Sequence, residues 1–303
     1  MNFQQLEYII EVERTRHFAE AAKNCFVTQP TLSMMIKKLE QELGVMIFDR
    51  KQKPIAPTQQ GKKIIEHAKA ILKQKNQLLQ AVQEEKETLE GDLRLGIIPT
   101  IAPYLIPLFI KKLTTNSPQI NIIAEEINTS MIIDKLKNGQ LDIGILATPL
   151  EEENIEEIPI FYEEFFLYGS TDFDKKFILP EDINLNQLLL LEEGHCLRSQ
   201  VLNLCHLKEK LKSNFSYKSG SLETLKRLVE KNQGITILPE LATRGIDKKR
   251  IIQFGHPRPV REVSLVVHKS FIKKKMLDTL FEEIRNSLPK KLKENSKKFV
   301  VKI

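Results

Sequence analysis

The residues before and after Gly91 follow two different hydrophobic periodicities, and this change restricts the chain to at least two folding units. Before Gly91, most apolar residues recur three or four positions apart, which is the spacing of a buried helix face. After it, Leu93, Leu95 and Ile97 alternate with other residues, as in a strand. A length of 303 residues also fits two domains of ordinary size. We therefore expect a helical N-terminal unit and an α/β C-terminal unit.

The start of the chain has the pattern of a helix-turn-helix. Residues 18–24 predict a short alanine-rich helix, and residues 25–28 form a turn-sized break. Thr28 is a good N-cap for the next helix, and Pro30 lies in its first turn, where a missing N–H costs nothing. The candidate DNA-contacting residues of this helix and the turn after it are Gln29, Pro30, Thr31, Ser33, Met34, Lys37, Arg50 and Lys53. A helical hairpin whose polar face meets only water would show the same periodicity.

The segment that follows favours DNA binding over a plain hairpin. Residues 45–48 predict a strand, residues 49–54 a turn, and residues 55–57 a return strand, which together make a small wing. Cations at the tip of this wing are well placed to contact phosphates. Residues 50–75 carry a local charge of +7, although the whole chain has only +6. The sequence therefore predicts a winged helix-turn-helix over residues 1–58, with double-stranded DNA as its partner.

A long helical pattern continues over residues 59–90. Thr58 caps it, and neither proline nor, after Gly61, glycine interrupts it. Its apolar residues recur approximately every seven positions, at Ile64, Ala68, Ile71, Leu78, Val82 and Leu89. A helix of this length needs a partner to bury such a stripe. We interpret it as a dimerisation helix, and packing against its own domain is the alternative.

After Gly91, predicted strands and helices alternate, which indicates an α/β layer with a parallel sheet. Small-molecule sites in such folds lie beyond the carboxyl ends of strands. Thr100 and Thr129 each follow a predicted strand and are therefore candidates for one crevice, although ordinary helix caps would occupy the same positions. We expect lobe I to comprise residues 91–161 and 269–303, and lobe II residues 162–268.

Cys196 and Cys205 are the candidates for chemistry. Cysteine reacts as the thiolate, and a nearby cation such as Arg198 or a charged His195 would lower its pKa. A thiolate that attacks a peroxide oxygen becomes a sulfenic acid, which a second cysteine can convert to a disulfide. If the intervening residues are helical, the two Cα atoms lie roughly 13 Å apart, whereas a disulfide needs about 7 Å or less. Two buried, inert thiols are the alternative, and we interpret Cys25 as such a core thiol.

Several segments in the same order resemble the LysR-type transcriptional regulators: residues 18–22, 28–33, 39–44, 48–50 and 58–61. The resemblance continues through the whole chain. It implies a winged helix-turn-helix (1–58), a dimerising linker helix (59–90) and a two-lobed effector domain (91–303) that resembles a periplasmic binding protein. Residues 192–198 together with Cys205, and residues 98–100, 221–225 and 234–236, are similar to the peroxide-sensing OxyR group of that family.

This similarity implies specific roles for the candidate residues. Cys196 would react with hydrogen peroxide, and Cys205 would be its disulfide partner. The residues that would line the peroxide pocket are Thr100, Thr129, His195 and Arg198. A homodimer or homotetramer, RNA polymerase as a partner and a cellular thiol reductant are implied as well. The sequence departs from the group at Asn128, Ser130 and Ser199, which puts the rate and threshold of oxidation in doubt more than the chemistry.

Composition and motifs count against several other classes of protein. No apolar run approaches the roughly 18 residues of a membrane-spanning helix, the N-terminus lacks signal-peptide features, and three cysteines fit the reducing cytoplasm better than a disulfide scaffold. We expect no metal and no cofactor, since ligand clusters and glycine-rich nucleotide loops are missing from the sequence. A regulator that binds a small metabolite in the inter-lobe cleft stays open as an alternative. A peroxide-consuming enzyme fits a chain with a DNA-reading module less well, so we expect a non-enzyme.

Overall fold

The computed structural model describes residues 1–84, 89–205, 220–294 and 299–303, and the chain divides near residue 86 into two compact units. The first unit contains helices α1 (Phe3–Thr15), α2 (Phe18–Asn24), α3 (Gln29–Leu43) and α4 (Gln59–Glu84) and the strands β1 (Phe48–Asp49) and β2 (Ala56–Pro57). Leu32, Ile36 and Leu39 line the inner face of α3 and are fully buried. Thr28 caps α3, and Gly44 ends it in the left-handed conformation (φ +69°) that glycine adopts without strain.

The wing is present but shorter than the sequence pattern predicts. β1 and β2 pair antiparallel over only two residues each. The backbone N–H groups of Ile47 and Phe48 donate to Glu40 Oε1, at 2.8 and 3.2 Å. These amides are therefore bound by a buried carboxylate of α3 instead of by the opposite strand, which explains why the predicted strand over residues 45–48 begins only at Phe48.

The first half of α4 packs on its own unit, whereas two of the later apolar residues are exposed. Ile65 and Ala68 belong to the core of the first unit, whereas Ile71 is 38% and Leu78 is 69% exposed. The predicted stripe also includes Val82, whose side chain lies outside the described part, as do residues 85–88 of the predicted 59–90 helix.

The second unit is built on one curled sheet with helices against it. Its strands are β3 (Gly91–Ile97), β4 (Ile120–Glu126), β5 (Ile143–Thr148), β6 (Ile155–Tyr168), β7 (Phe177–Ile178), β8 (Thr236–Pro239), β9 (Ile251–Phe254), β10 (Pro259–His268) and β11 (Phe299–Val300). Its helices are α5 (Ala102–Asn116), α6 (Thr129–Lys137), α7 (Cys196–Leu204), α8 (Leu222–Glu230), α9 (Lys274–Ser287) and α10 (Lys290–Glu294). The predicted parallel pairing is confirmed, because β3 pairs in parallel with both β4 and β5.

Two long antiparallel strands, β6 and β10, join the two lobes. The first lobe has a core that includes Leu95, Phe109 and Leu280, and the second has a separate core that includes Phe165, Val201 and Leu225. The α/β class and the two-lobed architecture are thus as predicted. None of the helices in the described ranges is both long and apolar enough to cross a bilayer.

The points at which the chain passes between the lobes differ from the predicted ones. Residues 263–266, predicted within lobe II, are part of β10 and pair with β5, and Val263, Leu265, Val266 and Val267 belong to the core of lobe I. Val301, predicted within lobe I, is buried in the core of lobe II. The pattern of an apolar strand reveals that it is buried but not which strand it pairs with, and this is why the predicted crossings are displaced.

Candidate thiol site

Cys196 is the first residue of α7 and is buried, with 6% exposure. Its Sγ lies within hydrogen-bond distance of Thr129 Oγ1, at 2.5 Å. Thr129 in turn is the first residue of α6, and Asn128 caps that helix by accepting a hydrogen bond from the Met131 N–H. The starts of two helices therefore meet at the sulfur, and the N-terminus of a helix favours an anion.

Asn128 and Ser130, which flank Thr129, take part in hydrogen bonds at the start of α6. Asn128 Oδ1 accepts from Met131 N and from Ser130 Oγ, both at 3.0 Å. Two of the three residues that depart from the OxyR-group pattern thus hold the first turn of α6, which carries Thr129, in place.

The surroundings of Cys196 act on its pKa in opposite directions. Burial raises the pKa of the Cys196 thiol and is the largest influence. The hydrogen bond with Thr129, the bond with the residue's own backbone amide and the charge of Arg261 lower it, but the net direction is upward. The free thiol is therefore mostly protonated at neutral pH, and only a minor thiolate fraction is available for attack.

Sequence reasoning missed Arg261, which lies in β10 opposite Glu163 of β6. Both side chains are fully buried, and Arg261 Nε is 2.7 Å from Glu163 Oε1. The same guanidinium donates to Thr100 Oγ1 at 3.2 Å and to the Thr100 carbonyl at 3.1 Å. A signal was available, because an arginine in a largely apolar strand needs a partner when it is buried.

Arg198 was predicted to be the cation beside the sulfur, but its guanidinium faces another group. Its Nη1 donates to the carbonyl of Leu191 at 2.9 Å. In this structure Arg198 binds the segment that precedes α7. The charge that lowers the pKa of Cys196 comes from Arg261.

His195 precedes Cys196 and is mostly shielded from solvent. Its Nε2 is 3.9 Å from a carboxylate oxygen of Glu192. Burial lowers the pKa of His195, and the Glu192 charge offsets this only in part, so the ring is neutral at pH 7. Gly220 leaves room for the ring, because a Cβ at that position would lie 2.8 Å from Nε2.

Cys205 is the C-cap residue of α7, and its N–H donates to the Val201 carbonyl at 3.0 Å. It is half-buried, and burial raises its pKa to about 11. Both cysteines are free thiols, and the helix between them is continuous. Nine helical steps separate the two Cα atoms by roughly 13 Å, well beyond the roughly 7 Å limit for a disulfide.

The predicted DNA-contacting residues fall into two groups. Those on the outer surface of α3 and at the wing tip are exposed, apart from the half-buried Ser33: Gln29, Pro30, Thr31, Ser33, Met34, Lys37 and Lys53. Arg50 instead pairs with Glu40 at 3.1 Å and stacks over the Phe18 ring, with its Cζ 5.4 Å from the ring centroid. Arg50 therefore supports the wing as well as adding charge to it.

Two family profiles together cover almost the whole chain. The helix-turn-helix of bacterial regulatory proteins of the lysR family matches residues 3–62, and the LysR substrate binding domain matches residues 86–289. A hydrogen peroxide-inducible genes activator from Haemophilus influenzae is 35% identical over 88% of this chain and 90% of its own length. The DNA-binding transcriptional dual regulator OxyR of Escherichia coli is 35% identical over 94% and 95%.

Solved structures agree with these matches. A cysteine-to-aspartate variant of full-length OxyR from Pseudomonas aeruginosa is 35% identical, with a TM-score of 0.74, over 94% of this chain and 98% of that one. A cysteine-to-serine variant of Corynebacterium glutamicum OxyR with hydrogen peroxide bound is 25% identical, with a TM-score of 0.62, over 94% and 92%. The chain therefore belongs to the LysR family of transcriptional regulators, and OxyR proteins are relatives along almost its entire length.

Proposed function

We propose that this chain is a peroxide-sensing transcriptional regulator in which oxidation of Cys196 changes DNA binding and transcription activation. The observation that carries this proposal is the arrangement along α7. A buried thiol lies at the start of the helix beside Thr129 and within the influence of Arg261, and a second free thiol lies at the end of the same helix.

The first chemical step takes place at Cys196. Its thiolate attacks one oxygen of hydrogen peroxide, the O–O bond breaks, and the sulfur becomes a sulfenic acid. The departing hydroxide takes up a proton and leaves as water. Donors on this chain that favour the developing negative charge are the Thr129 hydroxyl and the Arg261 guanidinium, which also holds Thr100 in place. His195 and Arg198 complete the proposed pocket.

The second step joins the two ends of α7. The Cys205 thiolate attacks the Cys196 sulfur, the S–S bond forms, and the S–O bond breaks with release of water. Because the helical spacing exceeds the reach of a disulfide, α7 has to unwind. Oxidation is thereby converted into a rearrangement of lobe II.

The proposed regulator is an oligomer with further partners in the cell. Exposed Ile71 and Leu78 on α4 support dimerisation through a linker helix (residues 59–90) that follows the DNA-binding domain (1–58). We propose a homodimer or homotetramer that works in the cytoplasm with RNA polymerase and is reset by a thiol reductant. Each molecule reacts once per reset, so the chain is not a peroxide-consuming enzyme.

One relative supports a second candidate. The HTH-type transcriptional regulator EstR of Acinetobacter baylyi is 33% identical over 89% of this chain, and its name carries no reference to peroxide. A regulator that responds to a small metabolite in the inter-lobe cleft would use the same fold with inert cysteines.

The decisive experiment maps thiols by mass spectrometry before and after one equivalent of peroxide and footprints each form on DNA. A Cys196–Cys205 disulfide with a changed footprint is expected, and Cys196→Ser should abolish both. Transcriptional induction that persists in Cys196→Ser would favour a regulator that responds to a small metabolite.

The DNA face is tested separately. Lys37→Ala should weaken binding and reduce the dependence of log Kd on log salt by about one unit, since one phosphate contact is lost. Arg50→Ala should weaken binding and also destabilise the wing, because Glu40 loses its partner. Unchanged binding of both variants would contradict this placement of the DNA face.

A further inference from the structure

The terminal segment, residues 299–303, contacts the lobe that contains α7 through Val301, and Ile303 packs on the core of lobe I. Phe299 and Val300 pair in parallel with the first residues of β10. The Val301 N–H donates to the Val260 carbonyl at 2.9 Å. The Val301 side chain is 4% exposed and shares the core of lobe II with Leu197, Val201 and Leu204 of α7. The chain terminus is thus built into the region that has to rearrange on oxidation.

Two side chains of α7 bind the backbone of this terminal segment. Gln200 is fully buried, and its Nε2 donates to the Val301 carbonyl at 3.1 Å. Asn203 Nδ2 donates to the Lys302 carbonyl, also at 3.1 Å. Residues three positions apart lie on the same face of a helix, so both hydrogen bonds require this part of α7 to be helical. Both residues lie between Cys196 and Cys205.

A buried glutamine at position 200 is less stabilising than an apolar residue would be. Its Oε1 is buried and receives a hydrogen bond from no described residue, and a buried acceptor without a donor is destabilising. An apolar side chain of similar volume would avoid that cost. Among the described residues, the hydrogen bond that Gln200 makes with its side chain goes to the terminal segment, which points to coupling with that segment as its role.

We propose that Gln200 and Asn203 are positioning residues through which the C-terminal segment, residues 299–303, acts as a redox-sensitive clamp on α7. The proposal rests on the proposed function. In the reduced protein the clamp holds α7 helical and keeps Cys205 away from Cys196. When the disulfide forms, the helical spacing of the two side chains is lost, and both hydrogen bonds break.

The clamp releases as a consequence. Without α7, the segment keeps the two-residue pairing of β11 with β10, the Val301 amide bond, and the packing of Val301 and Ile303 on the remaining core residues. Strands this short are not stable alone. We therefore expect residues 299–303 to separate from lobe II in the disulfide form, so that this segment reports the redox state.

The test separates the two chemical steps. After rapid quenching, intact mass spectrometry follows the Cys196 sulfenic acid, which adds one oxygen, and the disulfide, which lacks two hydrogens. Gln200→Met removes the donor and keeps the volume, so sulfenic acid should form at the normal rate while disulfide closure becomes faster. One ordinary hydrogen bond sets an upper limit of roughly fivefold, because loss of the unpaired Oε1 offsets part of the effect. Asn203→Ala should have a smaller effect in the same direction.

Controls keep the outcome unambiguous. Lys302→Ala leaves the carbonyl that Asn203 binds and should change neither step. Hydrogen exchange at the Val301 amide should be slow in the reduced protein and fast in the disulfide form. Normal closure rates in both α7 variants, or equal exchange in both redox forms, would overturn the clamp alone. Failure of the unmodified protein to oxidise at Cys196 would overturn the proposed function and the clamp together.

Discussion

The two ends of α7 surround their cysteines in different ways. At the N-terminal end, Cys196 is more deeply buried, yet it has a hydroxyl partner in Thr129 and lies within the influence of the Arg261 charge. At the C-terminal end, Cys205 is half-buried, and among the described residues burial is the only cause that raises its pKa, to about 11. Burial makes both thiols harder to ionise, and polar partners oppose it at only one of them.

This contrast assigns an order to the chemistry. The Thr129 hydroxyl and the Arg261 charge favour a thiolate at Cys196, and they also favour negative charge on the peroxide oxygen. Cys205 becomes reactive only after its burial is lost. Unwinding of α7 would expose Cys205 and return its pKa toward the ordinary value near 8.5. In the proposed mechanism, the helix therefore keeps Cys205 inactive until Cys196 has been oxidised.

Exchange of each cysteine should have the largest effect. Cys196→Ser should show no peroxide oxidation in lobe II, because the sulfur that reacts with peroxide is absent. Cys205→Ser should form a sulfenic acid at the normal rate and accumulate it, which a sulfenic-acid-specific dimedone probe detects. Equal oxidation of the two variants would mean that the ends of α7 are chemically equivalent.

Removal of the buried cation should have the next largest effect. Arg261→Met leaves Glu163 buried without its partner, which costs about 3–5 kcal/mol of stability. The double variant Arg261→Met with Glu163→Gln removes both charges and should recover most of that loss. In both variants the rate of sulfenic acid formation should fall, because the charge that opposes the effect of burial on Cys196 is gone. A double variant that folds and reacts at the normal rate would contradict the role of Arg261.

The residues around the two cysteines differ in whether their positions can be predicted from the sequence. Thr129, Cys196 and Cys205 were placed by local pattern and resemblance, and the helix between the cysteines follows from local sequence. Arg261 and Glu163 are nearly 100 residues apart and meet only because β6 and β10 pair. The sequence favours Arg198 because it is permanently charged and could lie on the same side of a helix as Cys196, but neither property determines the direction of its side chain. The path of the terminal segment back to lobe II is equally a tertiary property.

Loss of the Thr129 hydroxyl should have a smaller effect. Thr129→Val removes the hydrogen bond to Cys196 and retains the shape, so peroxide oxidation should slow by roughly 10-fold, as one hydrogen bond to a charged group predicts. Thr129→Ser retains the hydroxyl and should stay close to the unmodified rate. Reaction with a bulky alkylating agent at Cys205 provides the internal comparison and should be the same in all three proteins.

The smallest effect is expected in stability at alkaline pH, under reducing conditions. Because the folded-state pKa of Cys205 is raised to about 11, the native protein holds this proton more tightly than the unfolded chain does. Its contribution to stability is fully present below about pH 8.5 and is lost as the pH rises toward the folded-state value. The pKa of Cys196 is shifted in the same direction. Urea midpoints should therefore decline from pH 8 to pH 10, and Cys205→Ser should show a shallower decline. An unchanged slope would mean that Cys205 is already solvated in the reduced protein, and the distinction between the two ends of α7 would then lie in their partners alone.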